Sequence, residues 1–412
     1  MSRFTAAPRL MTVEEALALL DGRLAPVTAV ETVPLAAALF RILAEDVVSP
    51  LDVPPHRNAA MDGWAFRLTD LPENGPPRLP VAGRVAAGHP LGGPLPHGAA
   101  VRIFTGAAMP AGADTVAMQE VCTPGDGWVE LPATARRGDH VRQAGEDIAA
   151  GAAVLSAGTR LRPQELGVAA AMGLTALAVR RPLKAAVFST GDEIRDPGTI
   201  LPPGCIHDSN RFTTAGLLRA LGAEVTDLGI LPDRVEAIRD AMVAAAGSHD
   251  LLITSGGVSE GEEDHVKAAV EACGSLHFWR LAIKPGKPVA LGEVAGTPFI
   301  GLPGNPVAVM VTFMLLARPV ALRLMGAADP GVTRFPVEAA FACRHRPGRR
   351  EYPRVRLSTA PGRLVAEKYP SDGSGVLSSM VWADGLVEIA EGRGDIAPGD
   401  MVDFLPFAEM LR

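Results

Sequence analysis

Cysteine is scarce in this chain: Cys122, Cys205, Cys273 and Cys343 are all it has, and no two form a CxxC pair. That spacing provides neither a zinc clamp nor a disulfide framework. Small buried side chains in a reducing cytoplasm are the expectation. Aromatic residues are few, at 5%, so the cores must be filled by Ala, Val and Leu. Basic residues are outnumbered, 39 against 46 acids, for a net charge of −7. Nothing in that balance draws the molecule to nucleic acid or to an anionic membrane. The N-terminus lacks the basic–apolar–cleavage pattern of a signal peptide. Residues 299–317 carry no charge, but Pro303, Gly304 and Pro306 interrupt the run. Its helical part, 307–317, is too short to cross a bilayer and reads as a buried helix. HExxH, Walker A and GxSxG motifs are absent, which disfavours zincin, NTPase and α/β-hydrolase chemistry.

What the chain has in quantity is Gly (44) and Pro (36), hence many tight turns. A length of 412 residues exceeds one core and predicts two to four domains. An amphipathic helix is expected from Thr12 as N-cap, with Glu14 and Glu15 in its first turn and Gly22 as its stop. A second helical run is read over 35–46. Residues 72–98 hold 13 Gly or Pro in 27, which favours short strands, and 49–148 is taken as a β-rich inserted domain. A helix over 163–172 should pack back on the first helices, making 1–48 with 149–180 one discontinuous helical domain. Strand and helix patterns then alternate through 181–327, as in a doubly wound α/β domain. From 328 to 412 short strands return, suggesting a small β-barrel. Within it, 344–368 holds eight Lys/Arg against two Glu, read as a solvated face.

Three turns in the α/β region carry the chemistry. Ser255-Gly256-Gly257 ends one strand, and Glu262, Glu263 and Asp264 open the following helix. This is either a tight βα turn with acids at a helix N-terminus, or a phosphate cradle with Asp264 placed beside a cation. Gly301 to Pro306 reads GLPGNP; Asn305 can cap the next helix and Pro306 suits its first turn. Capping alone needs neither Pro303 nor Gly304, so a gripped anion explains the loop better. Arg280, Lys284 and Lys287 put three cations beside these turns. Ser189-Thr190-Gly191-Asp192-Glu193 follows a strand and could seal a helix cap or ligate Mg²⁺ through oxygen. In the insert, Asp62 before Gly63-Trp64, Thr105-Gly106 and Gly145-Glu146-Asp147 each pair glycine with a polar group, a weak signal singly.

Taken in order, NAAMDGWA, IFTGAAMP, GEDIAAG, FSTGDE, DSNR, TSGGVS, LAIKPGKP and GLPGNPV resemble the molybdopterin molybdenumtransferases, relatives of the gephyrin E domain, over about residues 10–410. The resemblance implies four subdomains in an elongated homodimer. Its site lies between the β insert of one protomer and the α/β domain of the other. It implies an enzyme that takes adenylyl-molybdopterin and molybdate, uses Mg²⁺ and releases AMP. Transfer by motif makes Asp62, Asp147, Glu193, Asp233 and Asp264 the site acids, with Glu193 and Asp264 at Mg²⁺ and the scissile phosphoanhydride. Lys284 matches a family lysine, and Thr105, Ser255, Pro303 and Pro306 match site positions; the adjoining Gly256, Gly257, Gly304 and Asn305 complete the two anion loops. Arg354 and Ser374 match residues that bind molybdate or pterin phosphate. The chain departs from the pattern at Arg57, where an acid is common, at Trp64 for Tyr, and at Arg280 for Lys, a fork in place of a point charge. Molybdopterin adenylyltransferase and apo-molybdoenzymes are implied partners. Two other readings stand beside this one: a non-catalytic molybdopterin scaffold, and an adenylyltransferase, which usually consists of the α/β domain alone.

Overall fold

A computed structural model describes residues 10–21, 24–72, 76–257, 265–360 and 362–410, with the backbone alone at 278 and 279. The α/β region is built on a six-stranded sheet: β1 Lys184–Thr190, β2 Glu224–Leu231, β3 Leu251–Ser255, β4 Gly274–Arg280, β5 Pro288–Val294 and β6 Thr297–Leu302, in the order 2-1-3-6-5-4. Strands β2, β1, β3 and β6 run parallel; β5 and β4 add an antiparallel edge. Alternation along β1 sends Ala185 and Val187 to one core and Ala186 and Phe188 to the other. The first face is covered by helix Asn210–Ala220 and a long central helix, the second by helices Val235–Ala246 and His265–Cys273. Side chains as buried as Phe188 and Ile238 each contribute about 1.5–3 kcal/mol. The helix start expected at Glu262 and the stop expected at Gly22 lie outside the described residues.

The central helix is longer than the sequence suggests. It runs Pro306–Leu324, with a π-helical stretch at Phe313–Ala317 just before Pro319. Proline lacks the N–H for an i→i−4 bond, and a widened turn accommodates its ring without ending the helix. The run is apolar and long enough to cross a membrane, but 89% of its apolar window is buried inside the protein.

Helix Val13–Asp21 has the capping box its sequence promised: Glu15 N–H donates to Thr12 Oγ1 (3.1 Å) and Thr12 N–H to Glu15 Oε2 (3.0 Å). Its Val13 and Ala16 join the central-helix core. The helical run expected over 35–46 is not formed; only a 3₁₀ turn, Leu35–Ala37, stands there. Cross-chain pairing outweighs propensity, because strand Val30–Pro34 pairs with Ala176–Arg180, and Ile42 and Leu43 bridge to Arg160 and Val179. Helix Pro163–Ala171 accordingly buries Ala169 among Leu43, Leu161 and Leu177 rather than against Val13–Asp21.

The chain enters and leaves the insert along a bridge between Val53 and Ile148. The insert holds a six-stranded sheet that includes Gly63–Phe66, Ala100–Ile103 and Arg78–Val85. At the C-terminal end, strands Phe335–Ala339, Arg363–Lys368, Arg354–Ala360, Gly385–Glu388 and Met401–Pro406 close a barrel.

Candidate functional site

Parallel strands expose their carboxyl ends to one crevice, and the turns singled out in the sequence fall there. At the end of β3, Gly256 and Gly257 both have positive φ (83° and 62°). A Cβ on Gly257 would come within 2.6 Å of Val266 Cγ2, so only glycine fits. Gly256 N–H donates to Leu302 O (3.1 Å), and a Cβ on Gly304 would lie 3.9 Å from Gly256 Cα. The turns at Ser255–Gly257 and Gly301–Pro306 are therefore in contact. Ser255 itself is buried.

Helix Pro306–Thr312 starts directly behind this pair of turns. Asn305 occupies its N-cap, yet the side chain makes no capping bond; the Asn305 carbonyl accepts from Val309 N–H (2.9 Å). Expected to act as a cap, the Asn305 amide is thus not used by the helix. Pro303 and Pro306 flank it. From the barrel domain, Ser374 reaches the same helix end, its carbonyl accepting from Val307 N–H (3.0 Å). The Lys284–Lys287 turn lies along the helix: Lys284–Pro285 is cis. Gly286 has φ 112°, and a Cβ there would meet Thr312 Oγ1 at 2.3 Å. Lys284 Nζ is 3.1 Å from Glu351 Oε2. Lys287 is exposed, and Arg280, also exposed, ends β4.

Arg354 is almost wholly buried, and its guanidinium donates to Ser379 Oγ (3.0 Å) and to the carbonyls of Ser371 (2.7 Å) and Gly373 (3.2 Å). Its donors hold the loop that carries Ser374. Burial pulls the Arg354 pKa below the usual arginine value, against the field of Asp372.

The acids divide into two groups. Glu193 sits exposed after β1 with its carboxylate folded over Gly191, 2.5 Å from where a Cβ would stand. Asp233 follows β2; Thr190 donates Oγ1 to its Oδ1 (3.3 Å), and His265 Nδ1 stands 3.2 Å from the same oxygen without hydrogen-bond geometry. Asp264 lies outside the described residues. In the insert, Asp62 Oδ1 accepts from the N–H (2.8 Å) and hydroxyl (2.7 Å) of Thr105, which together hold its carboxyl below the usual range. Asp147 lines a cleft of about 420 Å³ with Asn58, Arg142 and Glu146. Among the described residues, the hydrogen bonds of Asp62 and Thr105 remain inside the insert.

Several residues of the site escaped the sequence reading. Asn210, in the DSNR motif, donates Nδ2 to Gly304 O (2.7 Å) and so ties a helix start to the anion loop. Arg211 beside it, buried, binds Asp208 (3.0 Å), Asp227 (2.6 Å) and Asp196, pinning the 192–208 loop that carries Glu193. Thr190, His265 and Glu351 emerge only from the fold. The motif DSNR was a visible signal for the first two.

Comparison with known proteins adds three domain matches: "MoeA N-terminal region (domain I and II)" over residues 11–173, "Probable molybdopterin binding domain" over 186–323 and "MoeA C-terminal region (domain IV)" over 336–407. The molybdopterin molybdenumtransferase of Haemophilus influenzae is 38% identical over 405 residues, covering 98% of this chain and all of the relative. Molybdopterin molybdenumtransferase 2 of Mycobacterium tuberculosis is 37% identical, covering 89% of this chain and 93% of the relative. The crystal structure of the molybdopterin biosynthesis MoeA protein from Pyrococcus horikoshii superposes with a TM-score of 0.81 at 27% identity, over 97% of this chain and all of that one.

Proposed function

This chain belongs to the molybdopterin molybdenumtransferase family, and from that premise we propose that it inserts molybdenum, taken from molybdate, into adenylyl-molybdopterin and releases AMP. The observation that carries this reading is the convergence of two glycine turns, a helix N-terminus and the Lys284 turn at the carboxyl edge of one sheet. Unpaired N–H groups at such an edge suit a phosphorylated ligand. Ser255 to Gly257 and Pro303 to Pro306 bind its phosphates, and Lys284 balances charge that gathers on oxyanions as the phosphoanhydride opens.

Mg²⁺ fits the donor set. Among the described residues no three acids, histidines or cysteines converge into a protein-only cage. A hard cation that completes its shell with substrate phosphates needs only one or two carboxylates. Glu193, open to solvent at the end of β1, and Asp264 are the residues to hold it; when bound it neutralises phosphate oxygens. Asp62 and Asp147 belong to the insert and approach the ligand from the opposite side, in a homodimer with a cytoplasmic setting. Its product passes to apo-molybdoenzymes, and its substrate comes from a molybdopterin adenylyltransferase.

The test is direct: purified protein, adenylyl-molybdopterin, molybdate and Mg²⁺ are mixed and AMP is measured. Turnover is expected, and Glu193→Gln should slow it about 10²-fold. Tight binding of the pterin with no AMP at all would make the protein a scaffold instead.

A further inference from the structure

Lys284 is held by another domain. Its strand, Ile283–Lys284, pairs with Arg350–Glu351 of the C-terminal part of the chain, and Tyr352 N–H donates to Lys284 O (2.9 Å). The ammonium meets Glu351, whose side chain is 12% exposed against 42% for the lysine. A second pair stands nearby: Lys368 Nζ lies 2.7 Å from Asp372 Oδ1. The Cys343 thiol, pushed up mainly by burial, is within electrostatic reach of all four charges, which places the pairs in one cluster. Asp372 belongs to the loop that Arg354 grips at Ser371 and Gly373, one residue beyond which Ser374 meets the N-terminus of the central helix. Here, then, two ammonium groups border an anion-shaped helix end, and each already carries a carboxylate. A carboxylate is itself an oxyanion. Any tetrahedral oxyanion that uses Lys284 must displace it.

We propose that Glu351, seconded by Asp372, is an internal competitor that occupies the lysines of the oxyanion subsite and sets its affinity. This rests on the reading of the site given above and adds a selectivity device to it. Doubly charged tetrahedral oxyanions have the field to displace a carboxylate from an ammonium; singly charged ions do not.

Calorimetric titration of molybdate and of inorganic phosphate into the full chain tests it. Glu351→Gln should bind either ion about two- to fivefold more tightly than the wild type, the scale expected when a half-exposed ion pair no longer has to be broken. Asp372→Asn, on a side chain 58% exposed, should give a smaller gain in the same direction and decides the matter if Glu351→Gln does not fold. The gain should vanish in a Lys284→Gln, Glu351→Gln double variant. If Glu351 only staples two domains together, its variant will melt earlier and bind equally or less well, and the proposal falls while the function stands. Absence of oxyanion binding by wild type and variants alike would overturn both.

Discussion

At the scale of single residues, Asp62 owes its acidity to Thr105, first through the backbone N–H and then through the hydroxyl. A folded pKa held below the usual carboxylate range means that the charged form persists until the pH drops through that lowered value. Thr105→Val removes the hydroxyl and leaves the N–H. The Asp62 pKa should then rise toward its ordinary value, and activity should begin to fall at a higher pH on the acid side. Carboxyl NMR titration of Asp62 alongside a pH–rate profile checks both; an unmoved acid limb with a moved titration would remove Asp62 from the chemistry. The pairing was only half legible in the sequence. Asp62 and Thr105 each stood beside a glycine, but 43 positions apart, and contacts between distant strands carry no periodic signal. Arg354 shows the opposite limit. Its motif marks it as a ligand residue, whereas the fold turns its donors on the 371–373 loop, so its effect on a ligand passes through Ser374.

At the scale of elements, local rules succeeded where short-range chemistry decides. The Thr12–Glu15 box formed as its spacing requires, and Thr12→Ala should cost about 1 kcal/mol of helix stability, read as faster hydrogen exchange over Val13–Asp21. They failed over 35–46, where bridges to Arg160 and Val179 outweigh a helical composition. The alternation through 181–327 revealed the parallel strands because each is a continuous apolar run bounded by turns. The antiparallel hairpin β5–β6 gave less warning: its tight turn, Ala295 and Gly296 with positive φ, leaves no helix to mark it. Arg211 is the element-scale anchor of the site. It joins helix Asn210–Ala220 to β2 through Asp227 and to the Glu193 loop through Asp196 and Asp208. Arg211→Met would strand the buried Asp208 carboxylate, at a cost of about 3–5 kcal/mol; the more exposed Asp196 adds little to that. Denaturant unfolding measures the loss. Burial works to raise the Asp227 pKa, but Arg211 and the Gly229 N–H hold it below its ordinary value. Its stabilisation is therefore present above the usual carboxylate range and lost as pH falls through the lowered value, and that acid-side slope should flatten in Arg211→Met.

At the scale of the whole molecule, the site comes in two halves. One is the crevice at the ends of β1, β2, β3 and β6, with Glu193 and Asp233; the other is the insert with Asp62 and Asp147, whose cleft is lined by insert residues alone. The discontinuous part of the chain that carries the insert exposes Val30, Phe40 and Val48, at 54%, 46% and 51%. Large apolar side chains grouped on one short segment are suited to a partner surface. A second copy is the economical partner, because a two-fold axis that sets these segments together would give each crevice an insert from the opposite protomer. The consequence can be measured by complementation. Asp62→Asn disables the insert half and Glu193→Gln the crevice half, so either homodimer should be nearly inactive. In a heterodimer that exchanges inserts, one site collects both lesions and the other collects none. A random one-to-one assembly should thus recover activity at about a quarter of its sites. With co-expressed, differently tagged chains, purification of the heterodimer should raise that to about half. If each crevice instead used the insert of its own chain, every site would carry one lesion, and co-assembly would restore nothing above the two parents.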